Sequence, residues 1–600
     1  MLLPVLFGLC SFVWILLEPS EAKNVWILGL SGARLFMAGM ALLLTLGAFV
    51  LFKTRRKNGI WLFFFAGVLF LASGELLLFS RFPSDDTRNL IPLIGKRAFP
   101  LLIAMLLSAL CWITALRSDG RPYPKKYAFF LFTAGILIYW PISAHIDRFN
   151  WLITLKGNTA MCLLTIAAAL LWCFSLNIDC GRGWKTAAAF LFFLVLGYTV
   201  TRFLGMWMGR WQTPSSAYWN GLAEAILNGR LDLENPSGTH DLTLYKGKWY
   251  VPNPPLPGLL LVPWVALLGS ADAVNMCVYS AVLTGICAGL FFLLLITAFT
   301  REGTPLYIPS SDDNSYPGNS LSIAVWVTVV FTFGTDLIWL GTTGQMWFIS
   351  QLLVVLFTLL AVLFEVLDIP PVCSGICLGL AMLSRPSVFP VFFCLLGIWL
   401  YRQQEFPRLR WGKTIIRCLK YGIPMVISVA LQLLYNKVRF DSWMDFGYVT
   451  INGADYILAA VQKWGMFHPH FLRTNAGVML TGLPRLDFSG ERFFFYPYVA
   501  GYSVFLMTPP LIYIFRTFRK DWFAVGTWCS VLLTVAMLLL YHNTGAEQIG
   551  YRYILDAAAP LSLLTAQGTK GKISPLFKIL TVFAVSLMLI AVYWWYRGKI

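Results

Sequence analysis

Charge is what this sequence has little of. Of its 600 residues only 12% are Asp, Glu, Lys or Arg, whereas 58% are hydrophobic, and the mean hydropathy is +0.70. A soluble globular chain does not reach such a composition, so the expected solvent is a lipid bilayer. Histidine is scarce, with five residues in all: His145, His240, His468, His470 and His542. No Cys-x-x-Cys pair and no His/Cys cluster at metal-ligand spacing occurs among the 12 cysteines, and most of these, such as Cys10, Cys111 and Cys394, lie inside apolar runs as packing residues. Internal repeats, a heptad seam and a soluble catalytic domain are absent as well.

What is present is apolar sequence in runs long enough to cross about 30 Å of hydrocarbon, for example at 60–79, 127–146, 352–367 and 576–595. The chain offers about 17 such runs. The first, 2–17, lacks a basic leader and a small-residue cleavage site, so it is expected to be a retained helix. The net charge of +18 is dispersed over many short loops, which argues against nucleic acid as a partner and for membrane topology. The basic loops at 53–57, 117–126, 402–420, 516–520 and 570–578 are expected in the cytoplasm, which leaves 210–255, 436–498 and 541–556 outside. The expected architecture is an all-α polytopic membrane protein divided near residue 182. About six N-terminal spans of unassigned role (1–182) precede a core (187–600) that carries the exterior loops. The run "PSSDDNSYPGNS" within 300–320 reads as a flexible cytoplasmic linker.

In the first exterior segment, "SAYWNGLAEAILNGR" has apolar residues at helical spacing, as in an amphipathic helix on the membrane surface. "HDLTLYKGKWYV" alternates as a hairpin about Lys246 and Gly247. The prolines of "PNPPLPGLLLVPW" then argue for a broken or re-entrant piece, with 256–269 too short to span.

These features, with "FGTDLIWLGTTGQMW", "LGLAMLSRPSVFP", "LYNKVRFDSWMDFGY" and "GYRYILDAAAP", resemble the GT-C superfamily of polytopic glycosyltransferases over roughly residues 187–567. The superfamily includes the aminoarabinose transferases of lipid A and the protein O-mannosyltransferases. The resemblance implies a GT-C-like helical bundle with juxtamembrane helices. It also implies inverting transfer of a sugar from a polyprenyl-phosphate donor to a hydroxyl of a glycan, lipid or protein acceptor, in a bacterial inner membrane with the site facing the periplasm. Many members carry an Asp just before the aromatic that opens the surface helix; this chain has Pro214, Ser215 and Ser216 ahead of Tyr218. A lipid or glycan transporter and a noncatalytic scaffold of the same shape are the alternatives.

Such a transfer needs a carboxylate to take the acceptor proton and cations to offset charge on the departing phosphate. Asp241, beside His240, is the first candidate base, against a role as a turn cap; Asp232 and Glu234 follow, against a solvated loop face. Lys248, Arg385, Arg439 and Arg552, with His240, Asn436, Tyr551 and Asp556, form the expected substrate-binding set. Arg552 and Asp556 are four residues apart and would pair on an α-helix. No cofactor is expected, and the His468/His470 pair is a weak start to a divalent metal site. Trp207, Trp211, Tyr218 and Trp219 are read as an interfacial belt or as platforms for sugar rings.

Overall fold

A computed structural model describes residues 181–597 apart from 211, 310–313, 404–405, 449, 487–494 and 497–500. Before residue 181 it describes only short pieces, among them the strands β1 (Val25–Ile27) and β2 (Leu30–Ser31). The chain forms two compact units, 1–173 with 487–494 and 174–486 with 495–600. The expected spans at 60–79 and 127–146, the basic loops at 53–57 and 117–126, and most of 2–17 lie outside the described residues.

The second unit is almost wholly helical. Six of its helices are long and apolar enough to cross a membrane: α1 (Arg182–Trp207), α4 (Met276–Thr300), α7 (Met346–Val366), α10 (Trp411–Phe440), α12 (Trp522–Leu540) and α14 (Pro575–Arg597). Helix α4 is central, touching α1, α7 and two further helices, α5 (Ser320–Phe333) and α13 (Ala558–Gly568). Small residues let it approach α1: a Cβ added to Gly197 would lie 3.0 Å from Ala288 Cβ. The segment 300–320 is held down at its described ends, where Ile308 N donates to Phe299 O at 3.0 Å and Lys185 Nζ to Asn314 O at 2.8 Å. This corrects the expectation of a free linker over those residues.

Between α1 and α4 come α2 (Trp219–Leu227), the hairpin β3 (Thr243–Tyr245) and β4 (Lys248–Tyr250), and α3 (Leu256–Leu268). The hairpin turns at Lys246 and Gly247, both left-handed at φ 49° and 74°, the conformation a two-residue hairpin loop requires. Helix α3 holds Pro263 and has 13 residues, about 20 Å of rise, too short to cross. Helix α2 forms within the segment whose apolar spacing is helical, and its apolar face packs on α3, burying Trp219, Leu222 and Ala225. The approach is close enough that a Cβ on Gly258 would meet Leu222 at 2.8 Å.

Helix α10 packs on α8 (Pro371–Met382) through Gly375 and Gly379 and exposes the rest of its apolar face, with only 22% of its most apolar stretch buried. One end is fastened by a buried carboxylate. Glu365 of α7 accepts from Arg417 Nη2 on both carboxylate oxygens, at 2.6 and 2.8 Å, and from the Tyr421 hydroxyl at 2.6 Å. Arg402, on α9 (Val391–Gln403), donates to Glu365 O and Val366 O at 2.7 Å. The buried carboxylate of Glu365 is thereby paired within the protein.

Gly375→Val should push α10 off α8, because the added carbon would lie 2.6 Å from Tyr421 O; the expected cost is about 2 kcal/mol. Gly422 on the open side of α10 has nothing within 4 Å, so Gly422→Ala should leave the melting midpoint unchanged or raise it. Thermal unfolding of both variants in detergent checks this pair.

Candidate functional site

The hairpin is stitched to the chain that leaves α10. Asp241 N donates to Asn452 O at 2.8 Å, Asn452 N to Leu242 O at 2.7 Å, and Thr243 Oγ1 to Gly447 O at 2.6 Å. At the root of this seam the Arg439 guanidinium donates to Val251 O, to Asn436 Oδ1 at 3.1 Å and to Tyr435 O at 3.3 Å, and it lies over the Tyr435 ring. Asn436 also donates to Trp443 O at 3.2 Å. Asn436 and Arg439 are therefore buried and hold the end of α10 to the hairpin.

That seam fixes Asp241, whose backbone is left-handed at φ 60°. Its carboxylate is 29% exposed, lies 3.9 Å from His240 Nε2, and has Trp347 of α7 as a hydrogen-bond partner. Burial raises its pKa, with His240 and Trp347 acting the other way. The hydroxyl of Tyr218 fixes the same turn by donating to His240 O at 2.9 Å.

A second cluster lies about Asp556, which is fully buried. Ser387 Oγ donates to it at 2.7 Å, Gln351 Nε2 at 3.3 Å, and Arg385 Nε stands 3.4 Å away. The Arg385 guanidinium lies 4.5 Å over the Tyr553 ring, and neither of its terminal nitrogens has a hydrogen-bond partner among the described residues. Arg552 does not pair with Asp556, contrary to the α-helical expectation. The segment Arg552–Ala557 is a 3-10 helix with three residues per turn, so positions four apart fall on different faces. Arg552 instead donates to Gln351 Oε1 at 3.0 Å and lies between the Phe348 and Tyr553 rings, with Nε buried and unpartnered. The loop before it hangs on buried Asp336, which accepts from Ile549 N and Gly550 N at 3.1 Å; burial raises the pKa of Asp336 to about 6.

Tyr448 lies within electrostatic range of both clusters. Its hydroxyl bonds to Tyr541, and its ionisation is pushed up to about 12 first by burial, then by Tyr553, against Arg385, with the charge of Asp241 adding to the rise. Both Asp241 and Arg385 thus act on one phenol. His542 meets both phenol rings edge-on, 4.4 Å from that of Tyr541 and 6.3 Å from that of Tyr448. Both its ring nitrogens are buried without a partner among the described residues, and burial lowers its pKa to about 4.

Of the residues expected from sequence, His240 and Asp241 make up the first cluster and Arg385, Arg552 and Asp556 belong to the second. The others are placed elsewhere. Lys248 pairs with Asp232 at 3.3 Å, and exposed Glu234 pairs with Arg230 at 2.8 Å. Tyr551 is buried with its hydroxyl on Leu538 O at 3.5 Å. Trp219 is fully buried, its indole donating to Met346 O, which removes it as a sugar platform; Tyr218 is buried too, and Trp211 lies outside the described residues. His468 and His470 both stack on Trp464 at 4.7 Å, and no three metal-binding side chains gather among the described residues. Sequence reasoning missed Trp347, Gln351, Ser387, Tyr448, Tyr541 and Tyr553. The runs "GQMW", "SRPS", "FGY" and "GYRY" each contain one of the residues missed or stand beside it. No family model, curated protein or solved structure matches this chain.

The neutral, buried state of His542 has a consequence for acid stability. The unfolded chain protonates this imidazole near its ordinary value of about 6.5, the folded one only near 4, so stability is full above about 6.5 and falls as pH drops toward 4. Between pH 7 and 5 the wild type should lose on the order of 1 kcal/mol through this group, and His542→Phe should flatten that part of the slope. Melting midpoints of the two proteins across that interval test it.

Proposed function

We propose that this chain transfers a sugar from a polyprenyl-phosphate donor to a hydroxyl acceptor on the exterior face of the membrane. The observation that carries the reading is the pairing of unlike groups around Tyr448. Arg385, anchored through Nε and with both terminal nitrogens unengaged, and Asp241, a partly desolvated carboxylate, both lie within electrostatic range of that phenol. A guanidinium fork is suited to two phosphate oxygens, and Arg552 adds a second positive charge behind it. A carboxylate with a raised pKa is suited to accept a proton.

The step balances. The acceptor oxygen bonds to the anomeric carbon as the bond from that carbon to the phosphate oxygen breaks. The acceptor proton goes to Asp241, and the leaving group departs as polyprenyl phosphate with its added charge met by Arg385. The configuration at the anomeric carbon inverts because attack and departure occur on opposite faces. A bacterial plasma membrane and a periplasmic site belong to the same proposal. The scaffold reading is favoured only by the absent acidic residue at Pro214, Ser215 and Ser216, where Ser216 O instead accepts a bond from Met346 N.

The expected test result uses purified protein in lipid discs supplied with a polyprenyl-phosphate sugar and assayed for release of the lipid phosphate. Asp241→Asn should lower turnover by about 10²–10⁴-fold with the melting midpoint kept, the range for loss of a general base. Arg385→Lys should raise KM for the donor more than it lowers kcat, since a point charge replaces a fork. Unchanged turnover in Asp241→Asn sinks the assignment of the base.

Sidedness has its own check. In intact cells an impermeant maleimide should label a cysteine placed at Thr239, and should reach one placed at Lys413 only after permeabilisation, as the basic loop 402–420 should stay in the cytoplasm. Labelling of both from outside contradicts the topology.

A further inference from the structure

Far from the Asp241–Arg385 group, at the end of α10 that carries Arg417, the second unit has an apolar groove of about 640 Å³. Leu396 and Leu400 of α9, Ile415, Leu419 and Ile423 of α10, and Trp522 of α12 line it. Besides the indole N–H groups of Trp411 and Trp522, only Thr414 and Cys418 bring polar side-chain atoms; the Thr414 hydroxyl is spent on Arg410 O at 3.1 Å, and the Trp522 N–H is buried without a hydrogen-bond partner among the described residues. Two of its walls, α10 and α12, are helices long and apolar enough to span a membrane, a setting that suits hydrocarbon.

The mouth differs in kind from the trough. Leu409 and Trp411 line it, and the exposed cations Arg408, Arg410 and Lys413 flank them in sequence. Trp522, on the facing wall, follows exposed Arg519 and Lys520, and its ring lies 5.1 Å from that of Phe406, so two separate basic loops meet at one opening. Asp521 is the one carboxylate between residues 402 and 422 or 516 and 522 other than Glu405, and it stands 3.8 Å from Arg519. Helix α10 also starts here, with the positive end of its dipole toward the opening. Two tryptophans at such a level sit well at a headgroup boundary.

We propose that this groove is a binding site for an anionic glycerophospholipid, with an acyl chain in the trough and the phosphate among Arg408, Lys413 and Lys520. The apolar walls alone would accept any lipid; the ring of cations selects a negative headgroup. The site is independent of sugar transfer, because the groove and the Asp241–Arg385 group are served by opposite ends of α10, 22 residues and about 33 Å apart from Arg417 to Arg439.

The test is native mass spectrometry of the full chain after exposure to equal amounts of phosphatidylglycerol and phosphatidylcholine. The wild type should retain one phosphatidylglycerol in preference. Arg408→Gln, Lys413→Gln and Lys520→Gln combined should abolish the preference, at roughly fivefold for each charge removed. Gly422→Phe should fill the trough and lose both lipids; the open space at Gly422 lets the ring enter without displacing backbone, and a kept melting midpoint verifies the fold. Equal retention of the two lipids by the wild type, or phosphatidylglycerol retained unchanged by the triple variant, overturns the proposal. So does a lipid-free dimer, which would mean that a second copy covers the groove. Retention with failed transfer would count against the proposed function alone, and loss with intact transfer against this site alone.

Discussion

The carboxylate of Asp556 governs this structure more than any other single group. It is fully buried, and a buried charge without partners costs several kcal/mol. From the 3-10 segment before α13 it draws partners from two distant stretches of chain: Gln351 inside α7, and Arg385 and Ser387 in the turn after α8. Satisfying that one carboxylate fixes where two guanidiniums lie. Arg385 is held through Nε, so its fork is left unengaged, and Arg552 is held by the other end of the Gln351 amide. A charge buried in the fold thus places both guanidiniums.

A second constraint acts through α10. One end is fastened to α7 and α9 by Glu365, Arg402 and Arg417, and the other to the hairpin by Arg439 and Asn436. Because the hairpin and the strip after α10 exchange backbone bonds at Asp241, Leu242 and Asn452, the position of Asp241 depends on where α10 ends. The helix is otherwise lightly packed, with Gly375 and Gly379 as its closest approach to the bundle. Polar fasteners at both ends therefore do what broad apolar burial does for α4.

Local signals in the sequence were readable where the backbone itself obeys a strong rule. Lys246 and Gly247 mark the hairpin because a two-residue loop needs positive φ, and the prolines around α3 mark a helix that stops short. Long-range pairing was not readable. Arg439 looked like a phosphate ligand and is consumed by Val251 O and Asn436; Arg552 and Asp556 looked like a pair and are bridged by Gln351, 201 residues from Arg552. The spacing rule failed there because the segment is a 3-10 helix, and nothing in "RYILDA" announces the change of period. Tyr448, Tyr541 and Tyr553 carry no motif in common, and only the fold assembles them.

The central claim is that Arg385 receives a lipid phosphate within reach of Asp241. An experimental structure of the protein with a bound polyprenyl phosphate tests this most directly. The account predicts phosphate density at about 2.7–2.9 Å from the terminal nitrogens of Arg385, with Asp556 still on its Nε and Asp241 bordering the same cavity. Phosphate density held by Lys248 or another cation, with the Arg385 fork unoccupied, would contradict it.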